Sequence, residues 1–101
     1  MVIVAYVPDL MDRSKVAAAG SVMFVRRVEE LSGRHADLVI VDLSRPGVLE
    51  VLTSIVSPRI VGFASHVDRS LMDAARAAGC SEVLARSVFF RRVAEILVAP
   101  G

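Results

Sequence analysis

The residue with the clearest chemical demand is Asp42, which ends the apolar run Val39-Ile40-Val41-Asp42 and is followed by Leu43. A carboxylate in such surroundings costs free energy unless it is hydrogen-bonded or paired. Ser65 and His66 stand together, with Asp68 two residues on, and the three types are those of nucleophilic hydrolysis. Adjacent side chains at a strand end point to different sides, so Ser65 and His66 cannot pair directly. No Gly-x-Ser-x-Gly elbow accompanies them. Ser65 and Asp68 therefore read as loop or helix-capping residues, with pH sensing or metal ligation as the lesser alternative for His66. The chain has one cysteine, Cys80, which excludes an internal disulfide; with two histidines it makes a structural zinc site improbable. Cys80 follows Gly79 and reads as a small buried apolar residue. No Gly-x-Gly-x-x-Gly or Walker pattern occurs, so nothing supports nucleotide binding by those routes.

These residues sit in a chain of 101, of which 54% are apolar, enough for one domain with one core. Lysine plus arginine is 12 against 11 for aspartate plus glutamate, a net charge of +1. That balance gives no field to attract nucleic acid or an anionic membrane. Arg86, Arg91 and Arg92, with Arg26, Arg27 and Arg34 elsewhere, read as solvated faces. Lys15 is the sole lysine. No apolar run approaches the ~18 residues of a membrane span, and the first run meets Pro8 and Asp9 too soon for a signal peptide. The expectation is a soluble, cytoplasmic single domain over residues 1–101, with no cofactor and no bound metal.

The elements that must position the candidate residues alternate along the chain. Short β-branched runs at 2–7, 38–43, 59–64 and 82–85 read as strands, with 22–25 as a further short one. Their hydrophobicity is continuous, the habit of parallel strands covered on both faces. Between them, helical spacing appears at 9–19, with Asp9 placed to cap and Asp12 three residues on. It appears again at 46–56, started by Ser44-Arg45-Pro46 and stopped by Pro58. Residues 69–78 form a third helix, ended by Gly79 at the C′ position, and 88–98 a fourth. A short helix is placed at 27–32, and residues 99–101 are expected to fray. This order predicts an α/β sandwich with right-handed crossovers. In such a sheet the site lies beyond the carboxyl ends of the strands. That rule collects Asp9, Asp42, Ser65, His66, Asp68, Arg86 and Ser87.

The segment Ala36-Asp37-Leu38-Val39-Ile40-Val41-Asp42-Leu43-Ser44-Arg45-Pro46-Gly47 resembles the third strand and following loop of response-regulator receiver domains. Phe63-Ala64-Ser65-His66-Val67-Asp68 and 77–87 are similar to the family's fourth strand, fourth helix and fifth strand. The resemblance implies a flavodoxin-like (CheY-like) three-layer sandwich. Its five-stranded parallel sheet would have the order 2-1-3-4-5, with helix one, strand two and helix two shortened. It makes Asp42 the phosphoacceptor equivalent. The family's acidic pair at the end of strand one, which holds a divalent metal, falls on Val7 and Pro8, with only Asp9 nearby. Its strand-four hydroxyl falls on Ala64, beside Ser65. Its strand-five lysine falls on Arg86 and the following proline on Ser87. Without hard oxygen ligands a Mg²⁺ site is not expected, and phosphoryl transfer to Asp42 loses the charge neutralisation it needs. The resemblance thus implies an atypical, or pseudo-, receiver with no catalytic residues.

An Asp42–Arg86 ion pair is expected to lock the top of the sheet, with Arg13 joining it. Phe89 and Phe90 are consecutive, so one ring should be partly exposed beside Arg91. Val88, Phe89, Phe90 and Arg91 are therefore the expected interface. In receivers that region belongs to the face of the fourth helix, fifth strand and fifth helix, which often mediates dimers and partner contacts. Two functions follow. One is a phosphorylation-independent protein-interaction module in signalling, with a protein partner or a homodimer through that face. The other is an unconventional receiver or small-ligand switch still using Asp42, Asp9 and Arg86.

Overall fold

A computed structural model of the chain describes residues 1–98. The fraying expected at 99–101 lies outside them. Five strands form one parallel sheet: β1 Ile3–Tyr6, β2 Met23–Phe24, β3 Leu38–Asp42, β4 Ile60–Ala64 and β5 Glu82–Ala85. Their spatial order is β2-β1-β3-β4-β5, the expected one. The registers place Tyr6 beside Val41, Asp42 beside Phe63, and Ala64 beside Ala85, so the strands end at a common carboxyl edge.

Every residue of β1, β3 and β4 is buried. Strand alternation divides their side chains between two cores, one on each face of the sheet, where a single core was expected. Ile3, Ala5, Val7, Leu38, Ile40, Val61 and Phe63 face helices α1 (Leu10–Ala19) and α4 (Arg86–Val98). Val4, Tyr6, Val39, Val41, Leu43, Ile60 and Ala64 face α2 (Val48–Leu52), α3 (Arg69–Ala77) and a 3-10 turn at Val28–Leu31. The result is a three-layer flavodoxin-like sandwich with both sheet faces covered.

The expected shortening is visible in the two-residue β2 and in the 3-10 turn, which replaces the helix placed at 27–32. The helix expected over 46–56 is also cut short, to five residues. Pro46 and Gly47 are spent on a turn, with Gly47 at φ 84° and the Val48 amide reaching the Arg45 carbonyl at 3.4 Å. At the other end Ser54 and Val56 exchange backbone hydrogen bonds with Gly33, Arg34 and Ala36, at 2.8 to 3.2 Å. Extended pairing thus satisfies the groups a longer helix would have used. Helix α3 ends as the glycine foretells. Gly79 has φ 118°, and the Gly79 and Cys80 amides close on the Arg76 and Ala75 carbonyls, the bonding of a Schellman cap. Helix α4 begins at Arg86, directly after β5 and two residues earlier than expected.

At the amino edge an unanticipated anchor appears. Arg59 is buried, donating to Glu82 Oε1 from Nε (3.2 Å) and Nη2 (2.7 Å) and to the Ile96 carbonyl from Nη1 (3.0 Å). It ties the starts of β4 and β5 to the last turn of α4, whose free carbonyls favour a cation.

Candidate functional site

Beyond Tyr6 the chain passes through buried Val7 to Asp9, the N-cap of α1. Asp9 Oδ1 accepts the Asp12 amide at 3.0 Å, which satisfies one orphan donor of the first turn. Asp12 is the third residue of that helix, and helical side chains lean toward the N-terminus. Its carboxylate is accordingly laid over the top of the sheet, where the residue is only 2% exposed. There it meets Arg86 at the start of α4. Nη1 donates to Oδ2 at 2.8 Å, and Nη2 donates to Oδ1. This two-pronged pair is the geometry in which a guanidinium holds a carboxylate most firmly.

Asp42 is also buried, but its partners are local. Oδ1 accepts the Ser44 amide at 3.1 Å and the Ser44 hydroxyl at 2.6 Å, and Oδ2 faces Arg45 Nε at 3.4 Å. The expected Asp42–Arg86 bridge is therefore corrected: Arg86 is claimed by Asp12. The reason is reach, because the first turn of α1 brings a buried carboxylate directly to the guanidinium, whereas Asp42 closes an Asx-type turn on its own loop. Arg13 does not join either. It turns the other way, its guanidinium 4.8 Å from the Phe24 ring centroid.

Charge still links the group. The hydrogen bonds that Arg86 donates to Asp12 raise the Arg86 pKa above its ordinary value, and the charges of Asp12, Asp42 and Asp9 add to this. The Asp12 amide holds the Asp9 carboxyl below the usual carboxylate range, with smaller help from Met11, Arg45 and Arg86. A divalent metal of the receiver kind does not fit these residues. The Asp12 oxygens are occupied by Arg86, and those of Asp42 face Ser44 and Arg45. Among the described residues no three histidine, cysteine or acidic side chains converge as ligands.

The remaining candidates border a shallow cleft of about 350 Å³ between α1, the β4–α3 loop and α4. Ser65, His66, Arg86 and Ser87 line it, joined by Lys15 and Phe90. Ser65 and His66 are exposed and do not pair; the Ser65 carbonyl accepts the Asp68 amide, and Asp68 caps α3 through the Leu71 amide at 3.3 Å. The phenylalanine pair is split as expected, one ring inside and one half-buried. Phe89 is fully buried and stacked on Phe63 at 4.6 Å, so it is a core residue and not an interface one. Phe90 meets both rings edge-on and faces Lys15 and Arg86, each 5.2 Å from its centroid. That places Phe90 toward α1 rather than on the α3–β5–α4 face. Val88 is half-buried and Arg91 exposed.

Sequence reasoning missed Asp12, Arg45, Lys15 and Arg59. Asp12 carried a signal, an acid three residues after a cap, but that pattern reads as capping alone. A larger open depression of about 680 Å³ lies at the opposite, amino edge, beside His35, Asp37 and Val56. Asp37 there accepts the Val2 amide at 2.6 Å. The carboxyl edge is the better candidate, because the two buried carboxylates, Asp12 and Asp42, gather there, whereas the buried charge of the amino edge, Arg59, is committed to Glu82 and the Ile96 carbonyl.

No protein-family model matches the chain, and no curated protein resembles it in sequence. Solved structures do resemble it in fold. A response regulator from Hahella chejuensis superposes with a TM-score of 0.75 at 19% identity, over 93% of this chain and 89% of that one. A putative pilus assembly protein (cpaE) from Burkholderia thailandensis gives 0.65 at 17% identity, over 96% and 95%. A CheY-like protein (tadZ) from Pseudomonas aeruginosa gives 0.61 at 17% identity, over 93% of each. The likeness is one of fold, the CheY-like arrangement of sheet and helices.

Proposed function

Starting from a fold shared with response-regulator and CheY-like structures, we propose that this chain is a pseudo-receiver, a cytoplasmic, non-catalytic signalling module that acts by protein contact rather than by phosphoryl transfer to Asp42. One observation carries the reading: the buried acids at the carboxyl edge face arginines of the same chain, Asp12 with Arg86 and Asp42 with Arg45. A phosphoryl group entering at Asp42 would have to displace Ser44 and Arg45 and would find no metal-ready carboxylates to offset its charge. Arg86 would have to leave Asp12 before it could assist. Among the described residues no helix is long and apolar enough to cross a membrane.

Incubation with acetyl phosphate and Mg²⁺ followed by intact-mass measurement tests this. An unchanged mass is expected. A gain of one phosphoryl group that disappears in Asp42→Asn would overturn the reading in favour of an unconventional switch.

Self-association is proposed through β5 and the flanking parts of α3 and α4. In favour of it, β5 pairs with β4 alone among the described residues and leaves an open strand edge. Light scattering should show a mass that rises with concentration and falls in Val88→Asp; a mass indifferent to that substitution would reject this contact.

A further inference from the structure

The cleft at Phe90 is one half of a longer feature. His66 lines it and also lines a second shallow cleft of about 250 Å³ along α3, with Arg69, Met72, Asp73 and Arg76. The spacing of those four residues puts them on one helix face. Four cationic side chains thus border a groove made of two clefts that meet at His66, running from α1 past the β4–α3 loop to α3: Lys15, Arg86, Arg69 and Arg76. Arg86 and Arg76 each hold one carboxylate, Asp12 and Asp73. Lys15 and Arg69 have no ion-pair partner among the described residues. Of the other acids nearby, Asp68 is used as the α3 cap, Asp9 caps α1, and Asp42 bonds within its own loop, with Asp9 and Asp42 near enough to Arg86 to act on its charge.

The groove also offers apolar contacts. Half-buried Phe90 and Met72 line the two clefts. Outside the two linings, Val67 next to His66 is 74% exposed, and Met11, one helical turn before Lys15, is 72% exposed. Exposed large apolar residues rimmed by cations mark a contact surface better than either feature alone. Its openness is unsuited to enclosing a small anion, which needs convergent donors in a concave pocket. An extended chain alternates its side chains on a period of two and can present acids to the rim while resting apolar groups on the floor.

We propose that this groove is a docking site for an extended protein segment in which acidic and apolar residues interleave. Lys15 and Arg69 are its free charge anchors, and Phe90 and Met72 its apolar floors. The inference deepens the protein-contact reading above and rests on it by naming the partner's chemistry.

Fluorescence anisotropy with a fluorescein-labelled short peptide alternating glutamate and leucine tests it on the full chain. Saturable binding is expected, weakening as salt is raised. Lys15→Glu with Arg69→Glu should lower affinity on the order of tenfold, since each reversal of an exposed charge contributes a modest part. Circular dichroism checks that the double variant folds, and Lys15→Gln with Arg69→Gln serves if it does not. A peptide with lysine for glutamate and a single-stranded oligothymidine complete the set. The proposal is overturned by non-saturable binding, by equal binding of the lysine peptide, by unchanged affinity in the folded double variant, or by tighter binding of the oligothymidine. Failure here with an unchanged mass under acetyl phosphate would remove the acidic partner and leave the module reading standing. A gain in mass at Asp42 would remove the module reading instead.

Discussion

Removing Arg86 should destabilise the protein more than removing the charge of Asp12, although both changes break the same ion pair. The asymmetry follows from burial. The side chain of Asp12 is 3% exposed and that of Arg86 is 45% exposed. Charge centres roughly 4 Å apart attract by about 4 kcal/mol at an effective dielectric of ~20, and most of that is offset by desolvation and screening. Arg86→Met keeps the apolar stem near Phe63 and Phe90 but leaves a buried carboxylate without its cation. A loss of about 2–3 kcal/mol is expected, below the full ~3–5 of a wholly buried pair because one partner is half in water. Asp12→Asn leaves an arginine that water can solvate and an amide oxygen that still accepts one hydrogen bond. Its expected cost is about 1 kcal/mol. The double variant should lose less than the two single losses added together. Urea denaturation reads all three. With an m-value of about 1 kcal/mol/M, Arg86→Met should lower the midpoint by about 2–3 M and Asp12→Asn by about 1 M. Equal shifts, or an Arg86→Met shift below that of Asp12→Asn, would refute the reasoning.

Three further outcomes are expected. Gly62→Ala would place a Cβ 2.7 to 2.8 Å from the Leu43 side chain, which is itself buried and cannot swing aside, so a loss of roughly 1–3 kcal/mol is expected in thermal or urea unfolding. Arg59→Met should cost about 3 kcal/mol and loosen the last turn of α4, seen as faster amide exchange there, because the Ile96 carbonyl and Glu82 lose a buried donor; unchanged exchange would contradict this anchoring role. Burial pushes the Cys80 thiol up from 9.0 to about 11. Between those values the unfolded chain releases a proton that the folded one keeps, so stability should fall as pH rises from 9 toward 11, and by less in Cys80→Ala. A native thiol that reacts with iodoacetamide as fast as the unfolded one would count against that burial.

Much of the frame could be read directly from residue order. The apolar runs at 38–41 and 60–64 required strands buried on both faces, and alternation assigned each side chain to a layer. Asp9 and Gly79 marked a helix start and a helix end through interactions with their immediate neighbours. The consecutive pair Phe89 and Phe90 had to split, because adjacent helix positions are about 100° apart. These inferences succeeded because the physics involved is local.

The site was less legible, because its pairings are not local. Which arginine meets which acid depends on where two distant chain segments cross: Asp12 and Arg86 are 74 residues apart. From the sequence, Asp42 and Arg86 were the natural couple, both sitting at strand ends. Only the folded chain shows that the first turn of α1 reaches Arg86 and that Asp42 bonds within its own loop. The same holds for Arg13, turned to Phe24, and for the helix expected over 46–56, cut short by pairing with residues 33–36.

The amino-acid sequence alone therefore determined a parallel α/β sandwich and the set of residues delivered to its carboxyl edge, since hydrophobic period and capping act within a few residues. Tertiary structure alone decided how those residues are neutralised and that Lys15 joins Phe90 and Arg86 at one cleft. Charge pairing and surface contact depend on distances across the fold, and those exist only once the helices have been laid against the sheet.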